Sequence, residues 1–163
     1  LSMTLSSALH GQENYNWDHI IYESLRIKSE IVAKDPFDKL GTHKGLSYGH
    51  TFANAFEGLS DFNFRHGEAV ALGMCVSGEV SNKLGILNSD DLELQNSLIA
   101  SANLPLKFPH VTSIDQIINL LKRDKISVNG GINLVILKRI GKYEIINDVD
   151  EAIVRTTLSQ FLF

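Results

Sequence analysis

Hydrophobic residues recur every three or four positions over most of the chain, which is the spacing of amphipathic helices. The pattern predicts six helices, over residues 17–33, 47–58, 66–84, 88–103, 113–121 and 150–161. The third of these is dense in small residues, such as Ala71, Gly73 and Cys75. Small side chains let neighbouring helices approach closely, so we expect this helix to be central.

The segments between the helices contain turn residues and one β-rich stretch. Pro36 disfavours a helical conformation at Asp35 and ends the first helix there. Residues 37–45 are short of large apolar groups and predict a loop. Residues 132–140 and 143–149 are rich in β-branched side chains, and Gly141-Lys142 between them predicts a hairpin. The predicted fold class is therefore mostly α, a multi-helix domain with a small β-hairpin.

Size and charge narrow the range of functions. The 163 residues suffice for one domain with a single core, over residues 1–163. The net charge is −4 and the longest basic run is Lys122-Arg123, which argues against nucleic-acid binding. The chain has no apolar run of membrane-spanning length. Cys75 is the single cysteine and has no disulfide partner in the chain, which favours a reducing, cytoplasmic location.

The second predicted helix carries polar groups on one side and aromatic groups on the other. At about 100° per residue, Asn54 lies roughly 40° and Glu57 roughly 20° from His50 around the helix axis. Phe52 and Phe56 fall toward the opposite side. Such a helix can present ligands to a cleft while its aromatic side is anchored in the core. The alternative is that His50 is an ordinary histidine that makes hydrogen bonds and binds no ligand.

A second histidine begins the following helix and suggests a metal site. His66 comes directly after the short loop of residues 60–65. Two imidazoles, one carboxylate and an open position form a common catalytic zinc site. Glu57 and Glu68 are candidates for the carboxylate ligand, and each is equally plausible as a hydrogen-bond acceptor from an imidazole. Helices joined by a short loop usually run antiparallel, so the spacing alone does not bring His50 and His66 together.

Residues 46–57 (LSYGHTFANAFE) and 66–74 (HGEAVALGM) resemble the C-terminal domain of 3-dehydroquinate synthase and related sugar phosphate cyclases. Weaker similarities lie at residues 28–32, 123–125 and 140–142. The resemblance extends from about Ile20 to the end of the chain. It implies a helical metal- and substrate-binding domain that packs against an N-terminal NAD-binding domain. The chain begins at Leu1, without Met and in a stretch that reads like the interior of a helix. We therefore expect it to be a fragment that lacks that domain.

The resemblance implies a lyase of aromatic amino acid biosynthesis, in the shikimate pathway. Such an enzyme oxidises an alcohol with NAD, eliminates phosphate, returns the hydride and closes a carbocycle. His50 and His66 would bind zinc, with cobalt as the alternative. The substrate would be a sugar phosphate, and the assembly considered is a homodimer. By resemblance, catalytic roles are assigned to Lys28, Asn54 and Lys125, and substrate contacts to His43, Ser47 and Glu57.

Several positions depart from the family's pattern. Asn54 stands for a second histidine, Ser47 for an asparagine, His43 for an arginine and Ile126 for a lysine. Met3 stands near the place of the family's carboxylate metal ligand. Two alternatives therefore stay open beside the cyclase. One is a metal-dependent alcohol dehydrogenase of the glycerol dehydrogenase type, and the other is a degenerate, non-catalytic relative.

Overall fold

The computed structural model of the chain describes residues 16–60, 64–109, 112–124 and 131–162. Within these ranges the predicted class, mostly helical with one hairpin, is confirmed. The elements in chain order are α1 (Trp17–Lys34), a 3-10 helix (Thr42–Ser47), α2 (His50–Leu59), α3 (His66–Lys83), α4 (Ser89–Ser101), α5 (Ile114–Leu121), β1 (Leu134–Arg139), β2 (Lys142–Ile146) and α6 (Glu151–Phe161).

The chain divides into two compact units, residues 1–46 and 47–163. In the first unit, the Asn16 side chain caps α1 by accepting a hydrogen bond from the His19 backbone N–H at 3.1 Å. The helix ends at Asp35, as predicted. The Asp35 carboxylate accepts hydrogen bonds from the backbone N–H groups of Lys39 and Leu40, both at 2.8 Å. This carboxylate thereby closes the turn that follows α1.

The core of the second unit is built around α3, which contacts α2, α4, α6 and β1. Leu72, Val76 and Val80 are fully buried along α3. Phe52 and Phe56 of α2 are equally buried and join the same cluster. The expected central position of α3 and the aromatic inner side of α2 are therefore confirmed.

The hairpin confirms the β-rich segment, but its turn lies one residue earlier than predicted. β1 and β2 pair antiparallel, with Arg139 opposite Lys142. The turn is therefore Ile140-Gly141, and Lys142 already belongs to β2. Gly141 has a φ of +81°, a value that glycine adopts without strain. Both strands are also shorter than the segments predicted from the β-branched residues.

The segment before α2 corrects two predictions. The predicted loop of residues 37–45 contains the start of the 3-10 helix that begins at Thr42. The helix predicted from Ser47 begins only at His50, because Gly49 has a φ of +81° and separates the two helices. In the described ranges, no helix combines the length and apolar character needed to cross a bilayer.

Candidate metal site

The two histidines singled out from the sequence lie side by side in the second unit. His50 is the first residue of α2 and His66 is the first residue of α3. Their ring centroids are 5.4 Å apart, and the ring planes meet at 61°. Both imidazoles can therefore face one small ligand.

The histidines meet because α2 and α3 cross at close range. A Cβ on Gly49 would lie 2.7 Å from the Val70 carbonyl oxygen, and a Cβ on Gly73 would overlap the Gly49 carbonyl oxygen. The beginning of α2 thus rests on the middle of α3 rather than on its end. A simple antiparallel pair would have separated the two histidines by the length of a helix.

Hydrogen bonds at Nδ1 orient both rings. The Nδ1 of His50 lies 3.3 Å from the backbone carbonyl oxygen of Tyr48. The Nδ1 of His66 lies 3.1 and 3.2 Å from the two carboxylate oxygens of Glu57. Carbonyl and carboxylate oxygens accept hydrogen bonds, so each Nδ1 is placed to donate. An imidazole whose single proton is on Nδ1 has its lone pair on Nε2, the atom that can bind a metal ion.

This donor set fits a divalent metal ion. Two imidazoles bound to one tetrahedral zinc through Nε2, with Zn–N distances of about 2.0–2.1 Å, have ring centroids roughly 5 Å apart. The observed 5.4 Å is close to that value. Among the described residues, no group of three or more His, Cys, Asp or Glu side chains could hold a metal. Within the described part of the chain, His50 and His66 are therefore a candidate pair and not a complete ligand set.

The two candidate carboxylates have different contacts. Glu57 lies against His66, in the position of an acceptor that holds a metal-binding imidazole. Glu68 accepts a hydrogen bond from the Arg65 backbone N–H at 3.2 Å and thereby caps the start of α3. The sequence leaves Glu68 as a candidate ligand or as an acceptor from an imidazole, and in the structure its carboxylate contacts the backbone at the start of α3.

Asn54 lies one turn along α2 from His50, at an open cleft. Its side-chain Nδ2 donates to Asp124 Oδ2 at 3.2 Å. The cleft has a volume of about 290 Å³ and is lined by Thr51, Asn54, Ala55, Leu120, Arg123 and Asp124. Sequence reasoning singled out Asn54 but gave no role to Asp124, which is 70 positions away in the chain.

The remaining predicted site residues lie in α1, in the 3-10 helix or outside the described residues. Lys28 is exposed on α1, and His43 lies in the 3-10 helix, both within the first unit. The His43 backbone N–H donates to Asp38 Oδ1 at 3.0 Å. Ser47 is the last residue of the 3-10 helix. Lys125 lies outside the described residues, as do Met3 and Ile126.

The hydrogen bond between Tyr48 and Gln95 was not predicted from the sequence. The Tyr48 hydroxyl donates to Gln95 Oε1 of α4 at 2.6 Å, and burial raises the pKa of this phenol well above its ordinary value. Burial also raises the pKa of the Cys75 thiol to about 12, in agreement with the packing role expected for that residue. Tyr48 lies within the histidine motif, whereas nothing in the sequence around Gln95 signals a role in the site.

Comparisons with known proteins identify the family of the chain. Residues 2–127 match the family described as 3-dehydroquinate synthase C-terminal. A 3-dehydroquinate synthase of Xylella fastidiosa (strain M23) is 35% identical over 162 residues, which are 96% of this chain and 44% of that protein. One from Nostoc punctiforme is 35% identical over 142 residues, 86% of this chain and 39% of that protein. The chain thus spans less than half the length of these relatives.

Solved structures show the same fold. A 2-epi-5-epi-valiolone synthase from Streptomyces hygroscopicus with NAD⁺ and Zn²⁺ bound superimposes with a TM-score of 0.73 at 20% identity, covering 88% of this chain and 39% of that one. A 2-deoxy-scyllo-inosose synthase complexed with carbaglucose-6-phosphate, NAD⁺ and Co²⁺ gives a TM-score of 0.64 at 21% identity, covering 71% of this chain and 34% of that one. At these identities the likeness concerns the fold.

Proposed function

The chain belongs to the 3-dehydroquinate synthase C-terminal family, and from this premise we propose that it is the metal- and substrate-binding domain of a sugar phosphate cyclase. The complete enzyme would use NAD and a divalent metal to oxidise an alcohol, eliminate phosphate and close a carbocycle. The observation that carries the proposal is the His50–His66 pair, with both Nδ1 atoms in hydrogen bonds and both Nε2 atoms available to a ligand.

We assign His50 and His66 as the metal ligands of this domain. When bound, a divalent ion polarises a substrate alcohol and stabilises the alkoxide formed from it. Zn²⁺ is the proposed ion, with Co²⁺ as a functional substitute. The Glu57 carboxylate fixes the ring of His66 and makes its Nε2 a stronger metal ligand. The Tyr48 carbonyl does the same for His50.

The other proposed roles concern the substrate. Asn54 lines the open cleft, where its amide oxygen can accept a hydrogen bond from a sugar hydroxyl. We propose that Lys28 and Lys125 neutralise the phosphate or carboxylate of the substrate. His43 and Ser47 stand where the family contacts its substrate, and we propose the same role for them. NAD would be held mainly by a separate N-terminal domain.

Metal binding by the full 163-residue chain tests the assignment of the histidines. Co²⁺ is titrated while its visible absorption is followed, because imidazole ligation changes the intensity of those bands. We expect saturable binding that is lost in His50→Ala and in His66→Ala. His19→Ala is the matched control, because His19 is exposed on α1 and belongs to the first unit. Equal binding by wild type and both site variants would refute the assignment.

Product analysis distinguishes the cyclase from the two alternatives. In the full-length protein with NAD⁺ and Zn²⁺, a cyclase releases phosphate from a hexose or heptulose phosphate without net NADH. Accumulation of NADH without phosphate release would identify an alcohol dehydrogenase. Metal binding without either reaction over such a panel would favour a non-catalytic relative. We expect phosphate release, and its loss in His50→Ala.

A further inference from the structure

A buried hydrogen-bond cluster joins α4 to Tyr48, which lies two residues before the start of α2. Gln95 is 4% exposed, and its Oε1 accepts the Tyr48 hydroxyl at 2.6 Å. The Nε2 of Gln95 donates to the Met74 carbonyl oxygen of α3 at 3.1 Å, and the same oxygen lies 3.0 Å from the Tyr48 hydroxyl. Three segments distant in the chain therefore meet at one phenol group.

Gly78 of α3 lacks a side chain and so leaves space for this cluster. A Cβ on Gly78 would lie 2.7 Å from Gln95 Nε2 and 3.4 Å from the Tyr48 hydroxyl oxygen. Any residue with a Cβ at this position would displace the Gln95 amide. The close contact between Gly49 and Gly73 fixes the backbone of the residue that follows Tyr48. Tyr48 is thus held both through its side chain and through the following residue.

The backbone of Tyr48 in turn contacts a proposed metal ligand. Its carbonyl oxygen accepts a hydrogen bond from His50 Nδ1 at 3.3 Å. This contact selects the tautomer with the proton on Nδ1 and limits rotation of the ring. The direction of the carbonyl depends on the backbone at Tyr48. The anchored phenol therefore determines how His50 presents Nε2.

We infer that Tyr48 and Gln95 are positioning residues, which hold His50 in the tautomer and orientation that bind a metal ion. The inference rests on the proposed function, since it takes His50 to be a ligand. Neither residue touches the ion. Their effect passes through one side-chain hydrogen bond and one backbone carbonyl, and it makes the metal affinity depend on a buried contact in α4.

Two variants and one control test the positioning role in the full chain, with Co²⁺ alone as the probe. Tyr48→Phe removes the hydroxyl and keeps the ring and the backbone carbonyl. Gln95→Met removes the amide, but the Tyr48 hydroxyl can then donate to Met74. Ser81→Ala is the control, because the Ser81 hydroxyl makes a buried 2.6 Å hydrogen bond from α3 to the Leu137 carbonyl and has no link to His50.

We expect the Kd for Co²⁺ to rise about tenfold in Tyr48→Phe, the lower end of what is typical for residues that orient a ligand. A smaller rise in Kd is expected in Gln95→Met. No rise is expected in Ser81→Ala, even if its melting temperature falls as far as those of the other two variants. The imidazole ¹⁵N shifts of His50 without metal give a second readout. Wild type should show mainly the Nδ1–H tautomer, and Tyr48→Phe a mixture of both.

The two readouts separate failure of the inference from failure of the proposed function. Unchanged Kd and unchanged tautomer in Tyr48→Phe would overturn the positioning role while leaving the metal assignment intact. Absence of Co²⁺ binding by wild type would instead refute the metal assignment, and with it the claim that these residues serve metal binding. Should Tyr48→Phe fail to fold, the comparison of Gln95→Met with Ser81→Ala decides, because both keep the Tyr48 ring.

Discussion

Gly73 is the point of closest approach between α3 and the segment that leads into α2, and Gly73→Ala tests whether this contact is required. An added Cβ would overlap the Gly49 carbonyl oxygen and lie 3.0 Å from the Gly49 carbonyl carbon and 3.2 Å from the Ala53 nitrogen. These are backbone atoms, so no side-chain rotation relieves the overlap. The two helices would have to move apart at the base of the metal site.

The magnitude follows from two opposing effects. Overpacking of a well-packed interior costs about 1–3 kcal/mol, and here the obstacle is rigid backbone, which favours the upper end. Alanine in place of a helical glycine returns about 1 kcal/mol of helix propensity. We therefore expect Gly73→Ala to lower the free energy of unfolding by about 2 kcal/mol. In a chain of this size that corresponds to a fall in melting temperature of about 4–8 °C.

A second glycine provides the control. A Cβ on Gly58, in the last turn of α2, meets nothing within 4 Å. Gly58→Ala should therefore raise the melting temperature, because only the propensity effect of up to about 1 kcal/mol remains. Thermal unfolding followed by circular dichroism measures both variants. The reasoning is refuted if Gly73→Ala melts at or above the wild-type temperature.

Two further predictions concern groups with shifted pKa values. Burial raises the pKa of the Cys75 thiol to about 12, so a thiol reagent in mildly alkaline buffer should modify it only as fast as the chain unfolds, and a fast phase in the native state would contradict this. At Asp35, burial opposes ionisation but the backbone N–H groups of Leu40 and Lys39 outweigh it, and the pKa falls below the ordinary value of 3.8. The ionised Asp35 carboxylate therefore stabilises the turn above that pH, and this stabilisation is lost as the pH falls through the lowered pKa. The amide shifts of Lys39 and Leu40 in an NMR titration should follow this loss. A titration midpoint above 3.8 would refute the prediction.

The helices could be predicted because their signals are local. Asn88 caps α4 by accepting from the Asp91 backbone N–H at 2.8 Å, and Ser113 with Gln116 forms a capping box at the start of α5. The errors fall where glycine changes the backbone direction. α2 begins at His50, three residues later than the hydrophobic pattern suggests. The preceding Gly49 has a positive φ and packs closely against α3, and the hydrophobic periodicity carries no information about that contact.

The site was predictable only in part for a similar reason. His50, Asn54 and Glu57 share one side of α2 as helical spacing requires, and Glu57 and His66 are only nine positions apart in the chain. The contact from Tyr48 to Gln95 spans 47 positions and depends on the packing of α4 against α3. Helical periodicity carries no information about such a contact. Both residue types are also common in ordinary helix packing.

Asn54 limits the chemistry that this side of α2 can perform. A carboxamide donates and accepts hydrogen bonds but does not change its protonation state at physiological pH, whereas a histidine, which the resembled family has at this position, titrates near neutrality. Donation from Nδ2 to Asp124 turns the amide oxygen away from that carboxylate. Asn54 can therefore orient a hydroxyl of a ligand in the cleft but cannot carry its proton.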